Sequence, residues 1–465
     1  MSNYDLIIIG GGPAGYLAAE RAGARRKNVL LVEETAIGGV CLNEGCVPTK
    51  TLLYGAKLYH QARDSATFGV TAGDVRYDLA AAMAHKAKTI ATLQKGILSQ
   101  LKNHGVEVRT GHAVLLGPGR VAVDGSEISA DKVLIATGGR AITPPIPGAA
   151  DNPSVVGSRE ILQLEKLPER LVIVGGGYIG MEFASYFAAV GTKVTVVEMM
   201  PEIIPMLEPA TAQSLRRQVA GVEYRLASRV TGIAPGAGGT AVVSVESTGG
   251  SAGSNPAETE QIEGDLVLLA AGRAPNVDGS GSAEAGLDFD RGGVKVDEFM
   301  RTNLPGVYAA GDATGKMLLA HAAYRMGEVA VAHMFDDRST PPQRMRFHAI
   351  PWVVFTTPEV AGCGLNPTEA RAAGFDVVSS QLPLQVSGRY LAEHPRERGT
   401  VTVVADRTTG RLLGVQMLGS GVGEIIHSAA AMIEQELRIA DIREIVFPHP
   451  TVSEALRDAA WAVEL

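Results

Sequence analysis

Three cysteines in 465 residues, Cys41, Cys46 and Cys363, are too few and too odd in number for a disulfide framework, which fits a reducing compartment. Long apolar runs are also missing. The longest uncharged one, Leu6 to Ala19, stops at 14 residues and holds four glycines, short of the roughly 18 that would span a bilayer. No basic segment with a small-residue cleavage site opens the chain, and Asp5 stands where a secretory signal would be apolar. A cytoplasmic protein without a membrane span is expected. Basic charge is in deficit, 42 Lys and Arg against 50 Asp and Glu for a net charge of −8, so no field exists to hold a phosphodiester backbone and no nucleic-acid partner is expected. The charged fraction is 20% against 46% hydrophobic, which rules out disorder for most of the chain. At about 150 residues per domain the length suggests roughly three.

Glycine, by contrast, is abundant, with 55 residues. Apolar Leu6 to Ile9 run straight into Gly10, Gly11, Gly12, Pro13, Ala14 and Gly15, then a helical stretch to about Arg25, then Val29 to Glu33: a βαβ unit. The block recurs at Leu171 to Val174, Gly175, Gly177, Gly180 and Glu198, every position displaced by 165 residues. In such a loop the first glycine makes the turn, the second lets backbone approach a pyrophosphate, and the third lets helix pack on strand. The acid closing the second strand accepts from ribose hydroxyls. One such loop is weak evidence. Two in register, each with its acid 18 residues beyond the third glycine, imply two bound dinucleotides.

Val133 to Gly138 and Leu266 to Gly272 read as buried strands closing the two nucleotide units. Between Gly232 and Gly264 the composition turns to Gly, Ala, Ser and Thr, which suggests exposed hairpins. Beyond Arg346 short strands alternate with helices and no nucleotide loop follows, so a third domain type is expected there.

Cys41 and Cys46 lie five residues apart with Gly45 between them and Pro48 just after. Five residues of regular helix rise about 7.5 Å, beyond the Cα separation a disulfide tolerates, so a bridge would need a distorted turn and would be easily reduced. In isolation, two unpaired thiols would be the ordinary reading. Directly after a dinucleotide unit, a redox couple fits better.

The run Gly38 to Lys50 (GGVCLNEGCVPTK) resembles the redox-active segment of the flavoprotein pyridine nucleotide-disulfide oxidoreductases, and its CLNxGC core most resembles the dihydrolipoamide dehydrogenase branch. Both glycine loops, Ala136 to Gly138, GRAPN at Gly272 to Asn276, YAAGDAT at Tyr308 to Thr314 and HPTVSE at His449 to Glu454 extend the resemblance over essentially the whole chain. It implies an α/β protein with two Rossmann-like dinucleotide-binding domains, for FAD and NAD, plus an α+β C-terminal dimerisation domain. The segments expected are 1–145 (FAD, first part), 146–274 (NAD), 275–345 (FAD or central, second part) and 346–465 (dimerisation). FAD would be held by Gly10, Gly12, Gly15, Glu33, Lys50, Thr137, Asp312 and backbone near Ala113 and Ala320. NAD would sit on Gly175, Gly177, Gly180, Glu198 and backbone near Val230 and Gly272. Cys46 matches the cysteine beside the flavin and Cys41 the one that exchanges with substrate. Lys50 and Glu182 match a pair beside the flavin ring; otherwise they would be a surface ion pair.

Pro448 and Pro450 restrain His449, and Glu454 follows five residues on. Thr451-x-x-Glu454 also reads as a capping box for the last helix. The resemblance makes His449 the acid/base toward a substrate thiol and Glu454 the group that orients it, acting on the disulfide of a second subunit, so a homodimer is implied. No metal spacing is found among the other histidines, Cys363 reads as a small buried side chain, and Tyr324 to Met326 stand where relatives often carry acids, with no expected effect on chemistry. Met199 and Met200 follow Glu198 without the arginines that an NADP phosphate would need. The implied activity is oxidation of dihydrolipoamide, on a lipoyl domain or H protein, within a 2-oxo acid dehydrogenase or glycine-cleavage complex. A chain opening at its first strand is expected to carry no fused lipoyl domain. The alternatives are another NADH-linked disulfide reductase and a non-catalytic subunit that keeps the fold.

Overall fold

The computed structural model describes residues 4–248, 259–337 and 341–465. Unbroken apolar Leu6 to Ile9 form strand β1 (Tyr4–Ile9), fully buried as a run without polar alternation requires. Pro13 opens helix α1 (Pro13–Ala24), where its missing N–H has no intrahelical partner to lose. The small side chains of Ala14, Ala18, Ala19 and Ala22 let that helix lie close on Leu6, Ile8 and Leu31. Strand β2 (Val29–Glu33) follows, then helices α2 (Gly39–Glu44), α3 (Cys46–Arg63) and α4 (Leu79–Asn103), and strands β3 (Glu107–Thr110), β4 (Ala113–Gly117), β5 (Arg120–Val123) and β6 (Ser126–Ile135). Strands β3, β2, β1 and β6 are parallel neighbours in that order. The strand Val307–Ala309 pairs parallel with β6, so the chain leaves this sheet and later returns to it. β6 serves two layers: its second half runs beside β1, and its first half is antiparallel to β5, with β4 beyond.

The intervening chain builds a second parallel sheet in the order Val222–Arg225, Lys193–Val197, Arg170–Val174, Leu266–Leu269, Val155–Val156. Its first helix, α5 (Tyr178–Ala189), starts and ends 165 residues after α1. The sequence repeat is thus a structural repeat with both helix boundaries preserved. Helix α6 (Pro209–Gln218) and an antiparallel meander of Ser228–Pro235, Ala241–Ser247 and Glu260–Gly264 complete the unit. The expected hairpins are therefore present, although 249–258 of that segment lie outside the described residues. From Trp352 onward a five-stranded antiparallel sheet shares one core with the helices Val422–Glu434 and Glu454–Trp461.

The two glycine loops repeat in detail. Gly10 and Gly175 have φ of +105° and +111°, the left-handed region that favours glycine. A Cβ on Gly15 would lie 1.8 Å from the carbonyl oxygen of Gly10, and one on Gly180 2.0 Å from that of Gly175. The middle glycines differ. A Cβ on Gly12 would come no nearer than 3.8 Å to any atom, and one on Gly177 would meet none within 4 Å. Gly15→Ala and Gly180→Ala should therefore each cost about 2 kcal/mol or more by overpacking against fixed backbone. Gly12→Ala and Gly177→Ala, at ordinary φ of −73° and −70°, should leave thermal stability of the unliganded protein unchanged. Thermal denaturation of the four variants checks the contrast, and equal losses would contradict it.

Candidate active site

The acids that close the two βαβ units turn back onto their own loops. Glu33 accepts from the N–H of Gly11 at 2.7 Å and of Thr35 at 2.9 Å. Glu198 accepts from the N–H of Gly176 at 2.5 Å and of Met200 at 2.7 Å. Each therefore fixes the glycine loop, a role its sequence position alone does not disclose, while its remaining lone pairs are free to accept from a ligand. Around the first loop, Gly10 lies against Ala136 and Thr137, Thr137 donates its hydroxyl to the Asn276 carbonyl at 2.5 Å, and Gly139 lies against Asp312. Burial raises the Asp312 carboxyl pKa, opposed by Arg273 at 4.0 Å. Ala320 begins helix α7 (Ala320–Phe335), whose N-terminus has no side-chain cap, and Ala113 begins β4 just after Gly111, which donates to the Glu33 carbonyl. Around the second loop, Gly175 lies against Ala270 and Ala271, beside Gly272 with φ of +105°. Val230 is in the strand whose first residue, Ser228, donates to the Glu198 carbonyl. These residues fit two dinucleotides: a Cβ on Gly177 would meet open space and one on Gly12 only the Gly39 Cα at 3.8 Å, so neither glycine is demanded by close protein packing and both leave room for a ligand.

Cys41 and Cys46 sit on different helices. Instead of one distorted turn, α2 ends at Glu44, Gly45 breaks the chain at φ −143° and ψ −106°, and Cys46 opens α3. Asn43 pins α2 by donating to the carbonyls of Ala36, Ile37 and Gly39 and accepting from Gln94. The thiol of Cys41 hydrogen-bonds Cys46. That bond, with the Lys50 charge and the N–H groups at the start of α3, outweighs burial and holds the Cys46 thiol down at about 7. The same bond and burial push Cys41 far above an ordinary thiol. The pair is thus polarised, with the thiolate on Cys46. Cys363 lies buried in the strand Val360–Gly364, and burial pushes its thiol up to about 12, an inert bystander.

Lys50, one turn into α3, places its ammonium 2.6 and 2.8 Å from the two carboxylate oxygens of Glu182. This is not a surface pair: the Glu182 side chain is 5% exposed, and it also accepts from the N–H of Phe355 at 3.0 Å. The ammonium lies 4.8 Å from the centroid of the Phe355 ring. Three separate stretches of chain meet here: the resemblance pairs Lys50 with Glu182, and the part played by Phe355 is what the sequence does not disclose.

His449 donates through Nδ1 to the carboxylate oxygens of Glu454 at 3.0 and 3.1 Å. The imidazole is 78% exposed and the carboxylate 8%. Glu454 also accepts from the N–H of Thr451 at 2.9 Å, which lowers its pKa, with His449 adding to the effect. Half of the expected capping box therefore exists. The other half does not, because the Thr451 hydroxyl turns to the Pro448 carbonyl and to Ser453. The last helix packs on the strands Val377–Pro383 and Thr400–Asp406, whereas α2 and α3 pack on α4 and α5. The histidine and the cysteines of one chain thus stand on different bodies of packing. His321, in the first turn of α7, is exposed and donates to the Pro351 carbonyl at 2.7 Å.

Residues 4–327 match the family model described as pyridine nucleotide-disulphide oxidoreductase, and residues 350–460 match its dimerisation domain. The chain is 37% identical to a dihydrolipoyl dehydrogenase of Thermus scotoductus over 100% of its length and 98% of the relative's. It is 35% identical to that of Bacillus subtilis over 98% and 97%. Leghemoglobin reductase of Vigna unguiculata is 33% identical, covering 98% of this chain and 87% of the relative. Among solved structures, the Cu(II) complex of the HOCl-induced flavoprotein disulfide reductase RclA of Escherichia coli superposes with a TM-score of 0.86 at 28% identity, covering 100% of both chains. No described helix is long and apolar enough to cross a membrane.

Lys50→Met removes the cation that favours the Cys46 thiolate. The Cys46 titration in the reduced protein should move up by about one pH unit from its value near 7. Thiolate absorbance followed against pH measures this, and an unmoved midpoint would contradict it.

Proposed function

The chain belongs to the pyridine nucleotide-disulphide oxidoreductase family, and from that premise we propose that it is a dihydrolipoyl dehydrogenase that oxidises dihydrolipoamide with NAD as acceptor. The observation that carries the proposal is the polarised Cys41–Cys46 pair together with an exposed imidazole held by buried Glu454. FAD and NAD are its cofactors. Gly10, Gly12, Gly15, Glu33, Lys50, Thr137, Asp312 and backbone near Ala113 and Ala320 would hold FAD. Gly175, Gly177, Gly180, Glu198 and backbone near Val230 and Gly272 would hold NAD. FAD held there would supply a two-electron acceptor for the dithiol, with NAD as the final acceptor. The FAD part is assigned to 1–145 and 275–345, the NAD part to 146–274 and the dimerisation part to 346–465.

The protein's own groups carry the sulfur steps. His449 takes a proton from a substrate thiol through Nε2 while Glu454 holds Nδ1 and stabilises the imidazolium. The substrate thiolate attacks the Cys41 sulfur, the Cys41–Cys46 bond breaks, and its electron pair stays on Cys46. Lys50 and the start of α3 stabilise that thiolate. The second substrate thiol then attacks the first substrate sulfur in the mixed disulfide and loses its proton, lipoamide leaves, and Cys41 departs with the electron pair of the broken bond and takes up that proton. Because His449 is exposed and its helix packs away from α2 and α3, the imidazole is assigned to the cysteines of a second subunit, in a homodimer. The substrate arrives on a lipoyl domain or H protein of a 2-oxo acid dehydrogenase or glycine-cleavage complex, in the cytoplasm.

Steady-state NAD reduction with dihydrolipoamide tests the substrate, and a negligible rate beside a fast reaction with another disulfide or dithiol sinks it. His449→Gln should lower the dihydrolipoamide rate roughly 10²- to 10⁴-fold while NADH oxidation by ferricyanide, which bypasses the thiols, is kept. A mixed dimer of Cys41→Ser and His449→Gln subunits should regain one working site out of two. No recovered activity would place the histidine in the same subunit as its cysteines.

A further inference from the structure

Helix α2 carries Cys41 but has little of its own to keep it in place. Its 6 residues are fewer than the roughly 12 that let a helix persist alone, no side chain caps its start, and Leu42 is its one buried residue. Its first turn is docked on the glycine loop, where the N–H of Gly38 donates to the Gly11 carbonyl at 2.8 Å and a Cβ on Gly39 would lie 2.7 Å from the Gly12 Cα. Past that turn the helix is held by side chains. Glu44 meets the guanidinium of Arg159 at 2.6 Å, an ion pair whose arginine is more than half exposed and therefore of small worth. Asn43, two residues after Cys41, reaches back to the carbonyls of Ala36, Ile37 and Gly39 at 3.2, 3.2 and 2.9 Å.

The Asn43 amide can do this in one orientation only. Carbonyl oxygens accept and cannot donate, so its NH2 faces all three and its Oδ1 faces away from them. There Oδ1 accepts from Nε2 of Gln94, on α4, at 2.7 Å. Among the described residues that is the one donor Oδ1 has and the one hydrogen bond the Gln94 side chain makes. A half-turn of the amide would set Oδ1 against three oxygens, so the Gln94 donor fixes the orientation as well as adding a bond. Gln94 also lines a cavity of about 300 Å³, which leaves space for a substitution without overpacking.

When Cys41 and Cys46 are joined, their own bond ties α2 to α3 across Gly45. When both are free thiols that tie is gone, and the contacts of α2 alone decide where the Cys41 sulfur stands. We propose that Gln94 is a positioning residue of the disulfide exchange, holding α2 through Asn43 so that Cys41 stays beside Cys46 while the pair is reduced and the bond can form again. Its effect is on the effective concentration of one thiol at the other. Without the Gln94 donor the oxidised form keeps α2 in place with Oδ1 unsatisfied, whereas the reduced form relaxes, so the dithiol gains on the disulfide. This rests on the redox couple assigned above, but not on the identity of the substrate dithiol.

The test uses Gln94→Leu and Gln94→Glu in the full-length holoenzyme, beside wild type. Each is brought to equilibrium with mixtures of dithiothreitol and its cyclic disulfide, in which two protons and two electrons pass from one dithiol to the other's disulfide, and is then alkylated and weighed to count thiols. Near neutral pH both variants should lie roughly fivefold further toward the Cys41/Cys46 dithiol than wild type, about 20 mV for a two-electron couple. An ionised carboxylate donates nothing to Oδ1, whereas a protonated carboxyl does. As the pH falls toward about 4.3, the ordinary glutamate pKa, the Gln94→Glu equilibrium should return to that of wild type and the Gln94→Leu equilibrium should not. An unshifted equilibrium in both variants, a shift toward the disulfide, or a Gln94→Glu protein that stays shifted in acid would overturn the proposal. If Gln94→Leu does not fold, the neutral and acid arms of Gln94→Glu decide alone. A wild-type protein that forms the disulfide but turns over no dihydrolipoamide would sink only the substrate assignment, and one that forms no Cys41–Cys46 disulfide would sink both readings.

Discussion

The ion pair of Lys50 with Glu182 is the contact on which the rest of the molecule turns. A buried carboxylate is costly unless its lone pairs are met, and Glu182 meets them with groups from two other stretches of chain: the ammonium of α3 and the N–H of Phe355. Nearby, Ser185 accepts from the N–H of Thr357, and Lys57 approaches Glu359 at 3.8 Å. The first parallel unit, the second parallel unit and the C-terminal sheet are thus joined where Cys46 lies. The same ammonium that ties them biases the sulfur pair, and Glu182 moderates that bias by raising the Cys46 pKa against Lys50. Architecture and redox polarity share one charge.

The two nucleotide units solve the same geometric problem with the same atoms, down to the acid that accepts from the N–H of the middle loop residue. They differ where the helix begins. Pro13 stands at the first position of α1 and Tyr178 at that of α5. Burial raises the Tyr178 pKa, with the charge of Arg273 opposing it. One loop therefore ends in an inert ring and the other in a phenol.

What was legible in the sequence follows from the range of each constraint. A glycine that must take φ of +105°, or lie on a carbonyl oxygen, is dictated within a few residues, so both loops and the 165-residue repeat stand out. His449 and Glu454 were ambiguous because one carboxylate serves both helix start and imidazole, and spacing cannot separate two uses of the same group. Long-range partners leave no local signal, and Lys50 is paired with Glu182 in the sequence only through the family resemblance. Lys50 and Glu182 are 132 residues apart and Tyr16 and Tyr324 are 308 apart. Asn43 binds α2 through three carbonyls that any residue would offer. Helix α4 carries only a thin apolar stripe, Leu79, Met83, Ile90, Ile97 and Leu101, interrupted by Lys86 and Gln94, and of its 25 residues only Leu101 is buried, so its periodicity is a weak signal.

The return of the chain to β6 through Val307–Ala309 sets an order in time. During synthesis the second parallel unit emerges whole, with its central strands and first helix contiguous, and can close on local pairings as soon as Leu266–Leu269 is free. The first unit, though begun earlier, must hold one edge of β6 open until residue 307 has left the ribosome. Of the two parallel units, the one begun first is therefore the one completed second.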